Sequence, residues 1–130
     1  MPPRRRIDPA LGHQAIATYL ADPTRADRTT TATAVRYTLE ELGTRSPGRT
    51  VEVRIPPYGV VHCVDGPIHT RGTPPNVVET DAATWLALVS GHLSWAAAVN
   101  SGTVRASGTR ADLSTVIPLV FPHVREADAT

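Results

Sequence analysis

Apolar positions along the chain alternate between a spacing of three to four residues and a spacing of two, and the changes of spacing divide it into elements. Leu11, Ala15, Ile16, Tyr19 and Leu20 share one side of a predicted first helix. Asp8 supplies an acceptor for its orphan amides, Pro9 suits the first helical position, and Asp22-Pro23 stops it. A polar linker over Thr24 to Arg28 leads to a second helix from about Thr30 to Leu42, with Val35, Leu39 and Leu42 in register and Gly43 as the expected terminator. Its threonine-rich start is poor helix material. Beyond the Ser46-Pro47-Gly48 turn, Val51, Val53 and Ile55 alternate with Glu52 and Arg54, which predicts a strand with one buried face. Pro56-Pro57-Tyr58-Gly59 breaks it, and residues 60–64 resume an extended, mostly apolar run that ends at Asp65-Gly66-Pro67.

The second half repeats this logic with shorter elements. Ile68 to Asn76 is too broken for regular structure, and Val77-Val78-Glu79-Thr80 reads as a third strand. Thr80-Asp81 caps a helix bearing Trp85, Leu86, Leu88 and Val89, which Gly91 closes; Ser94 caps a second, closed by Gly102. Residues 103–107 form a returning strand, and Thr109 to Asp112 resembles a capping box for a last helix through Leu113, Val116 and Ile117, cut short by Pro118. Leu119-Val120-Phe121 remains as an apolar segment. One domain over residues 8–122 is expected, with a flexible basic arm over 1–7 and a polar tail over 123–130.

Composition narrows the possible chemistry. Val, Leu, Ile and Phe make up about 22 % of 130 residues, enough for a folded but lightly stocked core. All 13 basic residues are Arg, yet the net charge is only +1, so the basic excess of a nucleic-acid binder is missing. No segment approaches the length of a membrane span, and Met1 to Arg6 leads into Ile7-Asp8-Pro9 and not into an apolar signal core. Neither integral membrane association nor a nucleic-acid partner is expected. The single cysteine, Cys63, excludes an internal disulfide, and a cytoplasmic location is expected.

Catalytic and metal motifs are not found. His13, His62, His69, His92 and His123 offer no ligand pair at helical spacing, so no metal site is expected. His62 and Cys63 adjoin on a strand, where neighbouring side chains point to opposite faces, which makes them a poor base and nucleophile. No Gly-x-Ser-x-Gly elbow and no phosphate-binding glycine motif occurs, and the chain has no Lys. Cofactors are not implied. The polar loop His69-Thr70-Arg71-Gly72-Thr73 reads as solvated, although Arg71 is suited to an anionic group. What stands out is the apolar inventory of the last third, both tryptophans included, which suits either an ordinary core or an apolar ligand pocket.

The order of elements over Val77 to Leu119 resembles the sterol carrier protein type 2 family. The likeness rests on an Asp81-led helix carrying Trp85 and closing at Gly91, a short helix ending at Asn100-Ser101-Gly102, and Val104 to Ser107 framed by Gly102 and Gly108. The whole chain is most similar to small stand-alone bacterial members, and its Arg-only, Ala-rich composition suits an actinobacterial branch. The resemblance implies an α+β fold in which helices pack on one face of an antiparallel sheet of about five strands. It further implies no catalytic residues and a cavity between sheet and helices for a sterol, fatty acid or acyl-CoA. Animal members have a Lys-rich basic strand where only Arg105 and Arg110 occur here, which weakens the case for a phosphorylated ligand.

The expected function is therefore non-enzymatic binding or carrying of an apolar small molecule, with Trp85, Leu88, Val89, Leu113, Val116, Ile117 and Phe121 lining the cavity. The alternative is a cavity-less interaction or regulatory domain that acts through a homodimer or a partner enzyme.

Overall fold

A computed structural model describes residues 7–67 and 76–121 of the chain. Arg71, His69 and His123, the basic segment 1–6 and the expected polar tail lie outside the described residues. Ile7, assigned above to the arm, packs partly buried against the core, and its amide donates to Glu40 Oε1 at 3.2 Å.

The elements follow in the order α1 (Pro9–Ala21), α2 (Arg28–Arg45), β1 (Val51–Ile55), β2 (Gly59–Cys63), β3 (Asn76–Thr80), α3 (Ala82–Val89), α4 (Trp95–Ser101) and β4 (Val104–Ser107). Helix α1 starts as expected, with Pro9 at its first position and the Asp8 side chain accepting from the Ala10 amide. Helix α2 is longer at both ends than its apolar spacing predicts. Asp27, read above as linker, is the true cap: its carboxylate accepts from Thr30 N at 2.7 Å and offsets the weak helix propensity of the threonines. Gly43 does not terminate this helix. The last turn is held instead by the Glu41–Arg45 ion pair at 3.2 Å and by the Ser46 amide donating to Leu42 O.

The four strands form one sheet in the order β2-β1-β3-β4. β1 pairs antiparallel with β2 and β3 antiparallel with β4, but β1 and β3 run parallel, with Val53 opposite Val78. The sheet is thus mixed and four-stranded among the described residues, where about five antiparallel strands were implied. The reason is topological: after the β1–β2 hairpin the chain returns to the free edge of β1 and not to that of β2, and a strand placed there in the direction of β1 is parallel to it. Val51, Val53, Ile55, Cys63 and Val78 lie on one face and are 0 % exposed, packed in a single core with the helices. Glu52, Arg54, His62, Glu79 and Arg105 mark the other face, where Arg54 and His62 pair with Glu52 and Arg105 with Glu79.

Two local expectations fail. Val64 does not extend β2; it takes a left-handed φ of 69°, held by its amide donating to Ser46 O at 2.7 Å and by its carbonyl accepting from Thr50 N at 3.2 Å. The expected helix after Gly108 is not formed either. Asp112 accepts from Ser114 N at 2.8 Å and opens a single turn, in which the Val116 and Ile117 amides donate to Leu113 O. Pro118 has no amide with which to continue it. Leu113, Ile117 and Leu119 are then buried from an irregular strap that crosses the helices.

Candidate functional site

Three pieces of chain converge at the carboxy-terminal end of α3. The helix begins where Asp81 accepts from Thr84 N at 2.7 Å, and its Trp85, Leu86, Leu88 and Val89 are all buried. It ends at Gly91, whose φ of +85° turns the chain while the His92 and Leu93 amides donate to Ala87 O. Ser94 then caps α4, accepting from Ala97 N at 3.1 Å. The strap returns across this turn and is pinned by the Leu119 amide donating to Val89 O at 2.8 Å.

These pieces leave a cleft of about 400 Å³ between them. Its walls are Leu88 and Gly91 from α3 and its closing turn, Leu93 and Ser94 from the turn before α4, Trp95 and Ala96 from the start of α4, and Ser114, Ile117 and Pro118 from the strap. That volume lies within the range of about 300–1,000 Å³ usual for small-molecule sites. None of the wall residues carries a charge. Pro118 also borders a second, smaller cleft of about 240 Å³, formed with Ile16 and Leu20 of α1, Ser90, and Leu119 to Phe121 of the strap.

The residues expected to line a cavity separate into groups. Leu88 and Ile117 reach the larger cleft and Phe121 the smaller one. Trp85 and Leu113 are 0 % exposed and Val89 1 %, so these three fill the interior beneath the clefts. Val116 is partly buried against the core. Sequence reasoning missed Leu93, Trp95, Ser114 and Pro118 as cleft walls. The available signal was Trp95 directly after a capping serine, where a large side chain at a helix start sits beside the preceding turn.

Beside the smaller cleft a polar chain links α1, α2 and the strap. The Tyr37 hydroxyl lies 3.1 Å from His13 Nε2 and donates to Glu41 Oε2 at 2.9 Å, and Arg45 joins Glu41 to the Val120 carbonyl. The Phe121 ring packs against His13 and Tyr37, and the Arg45 guanidinium lies over it at 5.2 Å. The arrangement binds the strap to the helices.

Cys63 is fully buried, and loss of hydration pushes its thiol up to about 12, so it stays protonated near neutrality and is a poor nucleophile. His62, on the opposite face, pairs with Glu52 at 3.1 Å. Among the described residues no group of His, Cys, Asp and Glu is arranged to hold a metal, and no helix is long and apolar enough to cross a membrane.

Helices covering one face of a small mixed sheet, with an uncharged cleft on the helical side, define the class as α+β. A family model described as bacterial SCP ortholog matches residues 27–119, and the chain belongs to that family. Membership points in general to lipid binding without catalysis. No curated protein shows significant similarity to the chain.

Proposed function

We propose that the protein is a non-enzymatic, cytoplasmic carrier that holds the apolar part of a single lipid, a fatty acyl chain or a sterol-like ring system, in the cleft between α3, α4 and the strap. The observation that carries this reading is the uncharged wall of Leu88, Leu93, Trp95, Ile117 and Pro118 around about 400 Å³ of open space, in a chain of the bacterial SCP family. Ser94 and Ser114 are the hydroxyl-bearing wall residues, so a carboxylate or phosphate head group stays in solvent and recognition rests on the apolar part. Burying about 300 Å² of ligand at about 25 cal/mol per Å² contributes about 7 kcal/mol before ordering costs, so this term alone supports an affinity no tighter than about 10 μM. In this reading Leu88 and Ile117 line the ligand cleft, Phe121 borders only the smaller one, and Trp85, Val89 and Leu113 serve as the rigid floor.

A second reading has its own support. With Trp85 and Leu113 at 0 % exposure, the interior below the cleft is filled by its own side chains, which is the premise of the alternative, a cavity-less interaction domain.

Titration of a fluorescent fatty acid separates the two. Saturable binding is expected, weakened about tenfold by Ser114→Phe, which fills the cleft from an exposed position and spares the core. No binding by the folded protein, or unchanged affinity in Ser114→Phe, overturns the carrier reading. Native mass spectrometry that finds a dimer free of lipid then supports the second.

A further inference from the structure

Residues 82–104 contain no Asp, Glu, Arg or Lys, in a chain where 19 % of residues are charged. For α3 the reason is burial, since its Trp85, Leu86, Leu88 and Val89 lie in the core. For α4 it is not. Ala98 is the buried residue of that helix, while Ala96, Ala97, Val99 and Asn100 are exposed and Trp95 is half-buried. A helix on the surface of a soluble domain normally carries charges on its outer face. This one presents Trp95 and Val99 one turn apart on the same side, with Val99 37 % exposed. Trp95 and Ala96 are also walls of the larger cleft, and residues 113–121 across it are equally free of charge.

We infer that α4 and the turn before it dock on the electrically neutral surface of a lipid membrane, which brings the cleft mouth against lipid; this rests on the carrier reading. The half-buried Trp95 has the amphipathic ring that favours the membrane–water boundary, and Ser94, Asn100 and Ser101 beside it supply small hydrogen-bonding groups for head groups. Apart from histidine, of which His92 lies in the stretch, the basic residues of this chain are all Arg, and no Arg lies there, so attraction to anionic lipid is not what the surface is built for. A second protein copy fits less well. A helix of 7 residues is about 10 Å long. Its exposed Ala, Ala and Val side chains fall far short of the roughly 1,200 Å² that a stable interface buries.

The test is flotation of the full chain with phosphatidylcholine vesicles, with and without phosphatidylglycerol, alongside the fatty-acid titration in solution. Wild type is expected to float with phosphatidylcholine alone and with a blue shift in tryptophan emission. That shift reports Trp95, because Trp85 is already 0 % exposed. Val99→Asp, at a position outside the cleft walls, is expected to lower vesicle partition about tenfold and leave fatty-acid affinity within about twofold. Three results overturn the inference: fatty-acid binding without flotation, flotation that needs phosphatidylglycerol and ignores Val99→Asp, or a wild-type dimer that Val99→Asp makes monomeric. Failure of the titration alone strikes the carrier reading, and flotation still decides the docking.

Discussion

The indole N–H of Trp85 donates to the Thr38 hydroxyl at 2.8 Å in the middle of the core, and both residues are 0 % exposed. The same hydroxyl donates within its own helix, to Ala34 O and Val35 O at 2.8 and 2.9 Å. A threonine inside α2 is thereby satisfied both as donor and as acceptor, and α3 is fixed against α2 at one polar point in an apolar setting. The Leu88 end of α3, which forms part of the cleft, takes its position from that anchor.

Thr38→Val keeps the side-chain shape and removes the acceptor, leaving a buried indole N–H without a partner. Destabilisation of about 1–3 kcal/mol is expected from urea unfolding. Thr38→Ser retains the hydroxyl and should cost less than the valine variant. A valine variant as stable as wild type would remove the anchor role.

Gly12 marks a close approach of α1 to α2. A Cβ built there would lie 2.2 Å from Cγ of Tyr37, whose ring is held through its hydroxyl by Glu41 and His13. Gly12→Ala forces that ring or the whole of α1 to shift, against the usual gain in helix propensity from alanine. A loss of about 3 kcal/mol is expected, at the upper end of ordinary overpacking costs. Thermal melting provides the check, and a neutral or stabilising effect would contradict the packing described.

Asp27 couples the second helix to pH. The Thr30 amide and hydroxyl donate to its carboxylate and hold it below its ordinary value of 3.8. The folded chain therefore binds this proton less readily than the unfolded chain. The cap's contribution is complete above 3.8 and is lost as pH falls through the lower folded-state value. In Asp27→Asn the cap persists but no longer titrates. The stability advantage of wild type over that variant should shrink as pH falls below about 4 through the lower folded-state value, and a constant difference over that fall would show that the cap's charge is immaterial.

Much of the secondary structure was legible because its signals are carried by neighbouring residues. Asp8-Pro9, Asp81, Ser94 and Gly102 act on amides and carbonyls within one turn, and all four cap or close the helices assigned to them. The alternation of Val51, Val53 and Ile55 likewise states which face of β1 is buried before any partner is known. Even here a distant interaction outweighed a local one: Gly43 looks like a terminator, but α2 continues because Arg45 is held by Glu41 and by the Val120 carbonyl of the strap.

The chain order of caps, turns and apolar faces thus determined a helical layer against a sheet, and with it the family. Whether an apolar side chain fills space or borders it was decided only in three dimensions. Trp85 and Ile117 read alike as apolar residues on short elements, yet the first is enclosed against Thr38 while the second edges an open cleft. The parallel pairing of β1 with β3, the cleft walls at Trp95 and Pro118, and the irregular strap share that origin. Each depends on which distant surfaces meet, and the spacing of apolar residues along one element contains no record of what lies across from it.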